Sequence, residues 1–217
     1  MKVEIFTVVK NGEYILPLYL KHYQSNFPGC KINIFDNGST DRTIELCAAA
    51  GCTIHPFPDF VPFTKEHYLT DHKNTVWKKS NAEWVVICDI DELLQITSSD
   101  LEALPEKVNV IRFKGYNMVD ADDKKDPTLF THGFHSETYN KCCVFKPSLK
   151  EINFSTGSHF ANPTPNAVFS KYQFNLLHYN KSWFTFDNFC EKHPKAFRKD
   201  LETVYNTSLK DLVKINK

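Results

Sequence analysis

The chain is 217 residues long (25.1 kDa), which suits one large domain, and its 41% hydrophobic and 14% aromatic content supplies a packed core and excludes a disordered, collagenous or low-complexity chain. Twenty-six basic residues balance 26 acidic ones, so no net charge attracts nucleic acid in general and an anionic ligand needs a local site. No apolar run approaches the roughly 20 residues of a membrane span, and the N-terminal MKVEIFTVV is too short and too early-charged for a signal peptide. The seven cysteines (Cys30, Cys47, Cys52, Cys88, Cys142, Cys143, Cys190) form no CxxC pair, so reduced thiols and a cytoplasmic setting are expected. Four N-x-S/T sequons, at Asn37, Asn153, Asn180 and Asn206, fit that setting, because a glycan at Asn37 would block a loop assigned below to a ligand.

In chain order, the β-branched run Val3 to Val9 predicts a buried strand, and Ile15, Leu16, Tyr19, Leu20 and Tyr23 recur at helical spacing within Glu13 to Tyr23. Lys31 to Phe35 predicts a second strand, stopped by Asp36-Asn37-Gly38-Ser39. A helix from Thr43 to Ala50 follows, capped by Ser39 or Asp41 and closed by Gly51. A third strand is expected at Cys52 to His55, then a proline-broken loop, then a long helix from about Lys65 to Ser80. Trp84 to Cys88 (WVVIC) predicts the most apolar strand, which runs into Asp89-Ile90-Asp91-Glu92. Strands alternating with helices imply an α/β fold with a mostly parallel central sheet flanked by helices.

The second half is less regular. Strands are expected at Val108 to Phe113, Cys142 to Phe145 and Tyr172 to His178, with a polar loop from Asn117 to Thr131 that carries Asp120, Asp122, Asp123 and Asp126. Helices are expected at Ser182 to Lys192 and Leu201 to Ile215.

Ligands of an open parallel sheet bind beyond the carboxyl ends of its strands. That rule selects Thr7 to Glu13, Asp36 to Asp41 and Asp89 to Glu92. Two carboxylates placed together at the end of an apolar strand repel unless a cation compensates, and oxygen-rich ligation suits Mn²⁺ or Mg²⁺ with substrate phosphates completing the shell.

The strings TVVKNGEYILPLYLKHY, INIFDNGSTDRTIELCAAAG and AEWVVICDIDELL resemble, in order and spacing, the nucleotide-binding half of GT-A-fold glycosyltransferases. They are most like a family-2-like group with a KNE-type first loop, a D-x-G-S-x-D second loop and a D-x-D-E third. LLHYNKSWFTFDNF is similar to the HY-x-x-K-S motif that closes that group. One departure is that the group's Asn-Glu pair appears here as Asn11-Gly12-Glu13.

The resemblance implies a single GT-A (Rossmann-like) domain over residues 1–217, with a nucleotide-binding half (1–95) and an acceptor-binding half (96–217). It implies that Thr7, Val9 and Asn11 line the nucleoside pocket and that Asp36 contacts the base or ribose. Asp89 would approach the ribose and the metal, and Asp91 would be the principal metal ligand. Lys73 and Asn74 would lie near the sugar or diphosphate. His159 and His178 are candidates for a third metal ligand or a diphosphate contact, with Lys181 as a phosphate partner. The implied activity is metal-dependent, inverting transfer of a sugar from a nucleoside-diphosphate sugar, with UDP-sugar as the donor, to a carbohydrate or other hydroxyl acceptor.

An inverting transfer needs a general base near the acceptor hydroxyl. Asp120 and Glu137 are the candidates, with Asp122, Asp123 and Asp126 close by. Trp183, Phe184, Phe186 and Phe189 either stack on an acceptor sugar or pack in the core. His132 and His135 form H-x-x-H, for which a zinc site would need further ligands. At this length either the acceptor is small or exposed, or the chain is one domain of a longer protein. Two other readings compete: WVVICDIDELL also resembles the first motif of haloacid-dehalogenase-like phosphatases, with Asp89 as nucleophile, and a non-catalytic sugar-nucleotide-binding module would keep the same loops.

Overall fold

The computed structural model describes residues 1–58, 65–119, 126–179 and 213–214. Its framework is a mixed α/β arrangement in which β1 (Val3–Val9), β2 (Lys31–Asp36), β3 (Thr53–Pro56) and β4 (Trp84–Ile87) lie parallel in the order β3-β2-β1-β4. Between them run α1 (Leu16–Asn26), α2 (Thr43–Ala49) and α3 (Lys65–Thr75). Strand β1 buries both faces: Ile5 and Val9 pack with Tyr19 and Tyr23 of α1, while Phe6 packs with Trp77, Val85, Ile87 and Phe145 on the other side. This two-sided burial makes parallel strands read as continuous apolar runs.

Helix α1 begins at Leu16, three residues later than the apolar spacing suggested, because the Ile15 and Leu16 amides first close a turn on the Gly12 carbonyl. A side chain at Gly12 would bring a Cβ within 2.6 Å of Val9, so glycine is needed for the loop to pass over β1. Helix α3 stops at Thr75 instead of continuing to Ser80. The chain tightens into a 3₁₀ turn, Val76–Lys79, which buries Trp77 edge-on against Phe145 at 4.8 Å.

Two further strands complete this first sheet. They are β9 (Val144–Phe145), antiparallel to β4, and β6 (Val110–Ile111), antiparallel to β9. A second, five-stranded sheet contains β5 (Glu92–Gln95), β7 (Phe113–Val119), β8 (His132–His135), β10 (Phe174–His178) and β11 (Val213–Lys214), in the order β11-β8-β7-β10-β5. Helix α4 (Ser98–Glu102) follows β5 and opens with a capping box between Thr97 and Asp100.

The strand expected at Val108 to Phe113 is divided between β6 of the first sheet and β7 of the second, Asn117 lies in β7 rather than in a loop, and β5, β8 and α4 have no counterpart among the expected elements. Val213 and Lys214, expected in the last helix, pair as a strand with β8. The expected helix Ser182 to Lys192 and residues 201–212 lie outside the described residues. Among the described residues no helix is long and apolar enough to cross a membrane.

Candidate active site

The acidic motif is the junction between the two sheets. Strand β4 ends at Ile87 in the first sheet, and β5 begins at Glu92 in the second, so Asp89, Ile90 and Asp91 make the turn between them. Its backbone is pinned on both sides: the Glu92 amide donates to the Asp89 carbonyl, and the Tyr179 amide donates to the Asp91 carbonyl at 2.7 Å. The Tyr23 hydroxyl donates to the Glu92 carbonyl at 2.8 Å. Tyr23 and Tyr19 also meet the Cys88 sulfur, which burial keeps a thiol by pushing its pKa up to about 12.

Asp89 is paired with two ammonium groups. Lys73 Nζ, from α3, lies 2.6 Å from Oδ1, and Lys141 Nζ lies 3.4 Å from Oδ2 and 2.5 Å from Glu92 Oε1. Lys141 and Glu92 are among the most enclosed charged side chains described, at 2% and 1% exposure. Burial alone would raise the Asp89 pKa, but the two ammonium groups outweigh it and hold the carboxyl well below its usual range. Glu92 and Asp89 reciprocally hold Lys141 charged against its burial.

Lys141 carries no sequence signal of its own. Strand β9 runs antiparallel to β4 with Val144 opposite Val86, so a residue three places before Val144 falls beside one three places after Val86. Only that register reveals the pairing of Lys141 with Asp89.

Asp91 faces the second sheet. His178, at the end of β10, pairs with Glu92 of β5 on one side and Asn117 of β7 on the other, which brings His178 Nε2 to 3.5 Å from Asp91 Oδ2. Tyr139 stacks on the His178 ring at 3.9 Å and 22°. Two phenols border these carboxylates, and both stay protonated. Burial, helped by Asp91, pushes Tyr14 up to about 12, and burial, helped by Glu92, does the same for Tyr139.

The first two loops knit together rather than standing apart. Asn11, at φ +52°, accepts the Thr40 amide with its Oδ1 at 2.8 Å, and its own amide donates to Ser39 Oγ. Asp36 accepts the Ser39 amide at 3.1 and 3.2 Å, while Asp41 accepts the Thr43 amide at the start of α2. Glu13 accepts the Arg42 amide at the entry to α2. Thr7 and Val9 are buried on the strand face that carries Ile5, and the Val9 carbonyl accepts the Asn37 amide.

Other candidates fall elsewhere. Asn74 spends its amide on the backbone of Phe154, donating to the carbonyl and accepting the N–H. His159 Nδ1 lies 2.8 Å from the Thr138 carbonyl and its ring meets the edge of Tyr139. The described contacts therefore tie His159 to the Thr138–Tyr139 turn and not to a carboxylate. Glu137 is exposed in that same turn, two residues from Tyr139. His132 and His135 sit three apart on β8, on opposite strand faces, bonded to Thr131 and Asn140 respectively. Asp120, Lys181, Trp183, Phe184, Phe186 and Phe189 lie outside the described residues.

Among the described residues no group of three His, Cys, Asp or Glu side chains forms a complete metal cage. Asp91 Oδ2 and His178 Nε2 nevertheless fit one divalent cation. Two donors each about 2.1 Å from a metal lie at most about 4.2 Å apart, and the 3.5 Å separation is within that limit. Phosphate oxygens of a ligand would have to supply the remaining positions.

Strand order, the parallel half-sheet and the acidic turn at its carboxyl edge together define a GT-A fold. Its solved neighbours include S. aureus TarS, with TM-score 0.51 and 13% identity over 93% of this chain and 42% of that one. A second is S. aureus TarS 1–349 in complex with UDP, with TM-score 0.52 and 13% identity over 96% of this chain and 73% of that one. The chain thus spans less than half the length of the longer TarS chain. It matches no protein-family model and no curated protein.

Proposed function

We propose that this chain is a divalent-metal-dependent glycosyltransferase that moves a sugar from a nucleoside-diphosphate donor, a UDP-sugar, to a hydroxyl of a carbohydrate acceptor with inversion. The observation that carries this reading is the convergence of Asp91 and His178 beside an Asp89 already neutralised by Lys73 and Lys141, at the carboxyl edge of the parallel strands. The similar TarS structure holds UDP, which favours uridine as the base.

In this reading Asp36, at the end of β2, accepts hydrogen bonds from the base or ribose, and the backbone of Thr7 and Val9 with Asn11 borders the nucleoside. Asp91 and His178 hold Mn²⁺ or Mg²⁺. Bound there, the cation neutralises the diphosphate as it becomes a leaving group. Lys73 adds a fixed positive charge beside Asp89, and Lys181 is the candidate for a second phosphate partner. Asp89 keeps its lysines and reaches the ribose rather than the metal. The acceptor hydroxyl gives its proton to a carboxylate from the second half, with Glu137 and Asp120 as the candidates. A phosphatase would use Asp89 as nucleophile, yet both of its oxygens face ammonium groups.

The test is nucleotide release from a panel of UDP-, GDP- and CMP-sugars, with Mn²⁺ and with EDTA. Release of UDP that needs the metal is expected. Phosphate release from simple esters without turnover of any nucleotide sugar would contradict the reading.

A further inference from the structure

The His178 ring is held by more than its backbone. His178 and Asn117 are both buried, at 5% and 2% exposure, and face each other across the parallel pair β7 and β10. The Asn117 amide is oriented with Oδ1 toward the ring, 2.7 Å from His178 Nδ1. An amide oxygen only accepts, so the ring nitrogen facing it must carry the proton. Nδ1 therefore carries a proton, and Nε2 is the ring nitrogen turned toward Asp91 Oδ2, at 3.5 Å.

A divalent cation between Nε2 and Oδ2 would take the place of any proton there and join the two donors. Tyr139 fixes the plane of the ring from one face. That stacking depends on Gly115 of β7, where a Cβ would come within 2.3 Å of Tyr139 Cβ and 2.4 Å of its carbonyl. Strand β7 therefore sets His178 twice: Asn117 chooses the tautomer, and Gly115 admits the ring that stacks on it.

We propose that Asn117 is a positioning residue of the metal site, fixing His178 in the Nδ1–H tautomer so that Nε2 is a ligand to the divalent cation shared with Asp91. The proposal rests on the transferase reading for the identity of the cation, but its first test does not. Two-bond ¹H–¹⁵N correlation spectra of the metal-free protein at pH 7.5 report the tautomer directly. The expected result is a protonated Nδ1 for His178, in the Nδ1–H or the doubly protonated pattern. An Nε2–H pattern, which arises if the amide is turned and donates to Nδ1, overturns the proposal whatever the enzyme does.

The second test replaces Asn117 with Leu, of similar volume, and with Gln, which keeps the amide. Mn²⁺ affinity in the presence of UDP, followed by electron paramagnetic resonance, should fall about 10–100-fold in Asn117→Leu, as outer-sphere partners of metal histidines usually cost. Asn117→Gln should recover part of that loss. A folded Asn117→Leu that binds Mn²⁺ within twofold of the parent contradicts the proposal. A parent that binds no Mn²⁺ with any nucleotide overturns the transferase reading and the metal role of Asn117 together, while the tautomer stands on its spectrum.

Discussion

Asp91→Ala is expected to abolish metal-dependent nucleotide binding and to lower transfer by about a thousandfold or more, because in the proposed site the carboxylate is one of two described donors to the cation. Stability should change by less than about 1 kcal/mol. The motif's turn is held through the Asp91 carbonyl, which the Tyr179 amide still reaches in the variant. Calorimetric titration of UDP in Mn²⁺ and thermal unfolding check both halves. A variant that binds as tightly as the parent would remove Asp91 from the metal site.

Lys141→Met should act in the opposite way, through the fold before the chemistry. The ammonium is the shared partner of Glu92 and Asp89, and the Glu92 carboxylate is 1% exposed, so its loss strands a buried charge. Breaking such a pair costs about 3–5 kcal/mol, a large share of the roughly 5–15 kcal/mol that holds a domain together. The double variant Lys141→Met with Glu92→Gln should regain most of that loss, since the stranded charge is gone. Urea unfolding of the parent, the single and the double variant measures the effect. A single variant that loses less than about 1 kcal/mol would mean that water or another group already solvates Glu92.

The first half of the fold is legible in the sequence for a physical reason. Strands β1, β2 and β4 are covered on both faces, so VEIFTVV, KINIF and WVVI stand out as apolar runs bounded by polar turns. Asp36 at the end of β2 and Asp91 in the turn after β4 stand in a pattern that resembles a known group, and the structure brings their elements to one edge.

The second sheet hides where its residues serve the site. Strand β5 opens with Glu92, whose side chain turns to a lysine 49 positions away, so it reads as the tail of an acidic loop. Strand β7 carries Asn117 and Gly115 inward, and a buried amide beside a glycine breaks the alternation that marks a strand. Lys141 and Asn117 belong to no motif, since their roles depend on register between strands far apart in the chain. His159 bonds the Thr138 carbonyl through Nδ1, a contact that its sequence neighbourhood does not signal.

The most direct test of the central claim is a thermal-shift panel of UDP, GDP and CMP, each with Mn²⁺ and with EDTA. A ligand that binds only the native state must raise its melting temperature, by about 5–10 °C at a hundredfold excess over its Kd for a chain of this size. The account predicts such a rise with UDP in Mn²⁺, lost in EDTA and lost in Asp91→Ala. The absence of any shift with every nucleotide in Mn²⁺ would contradict it.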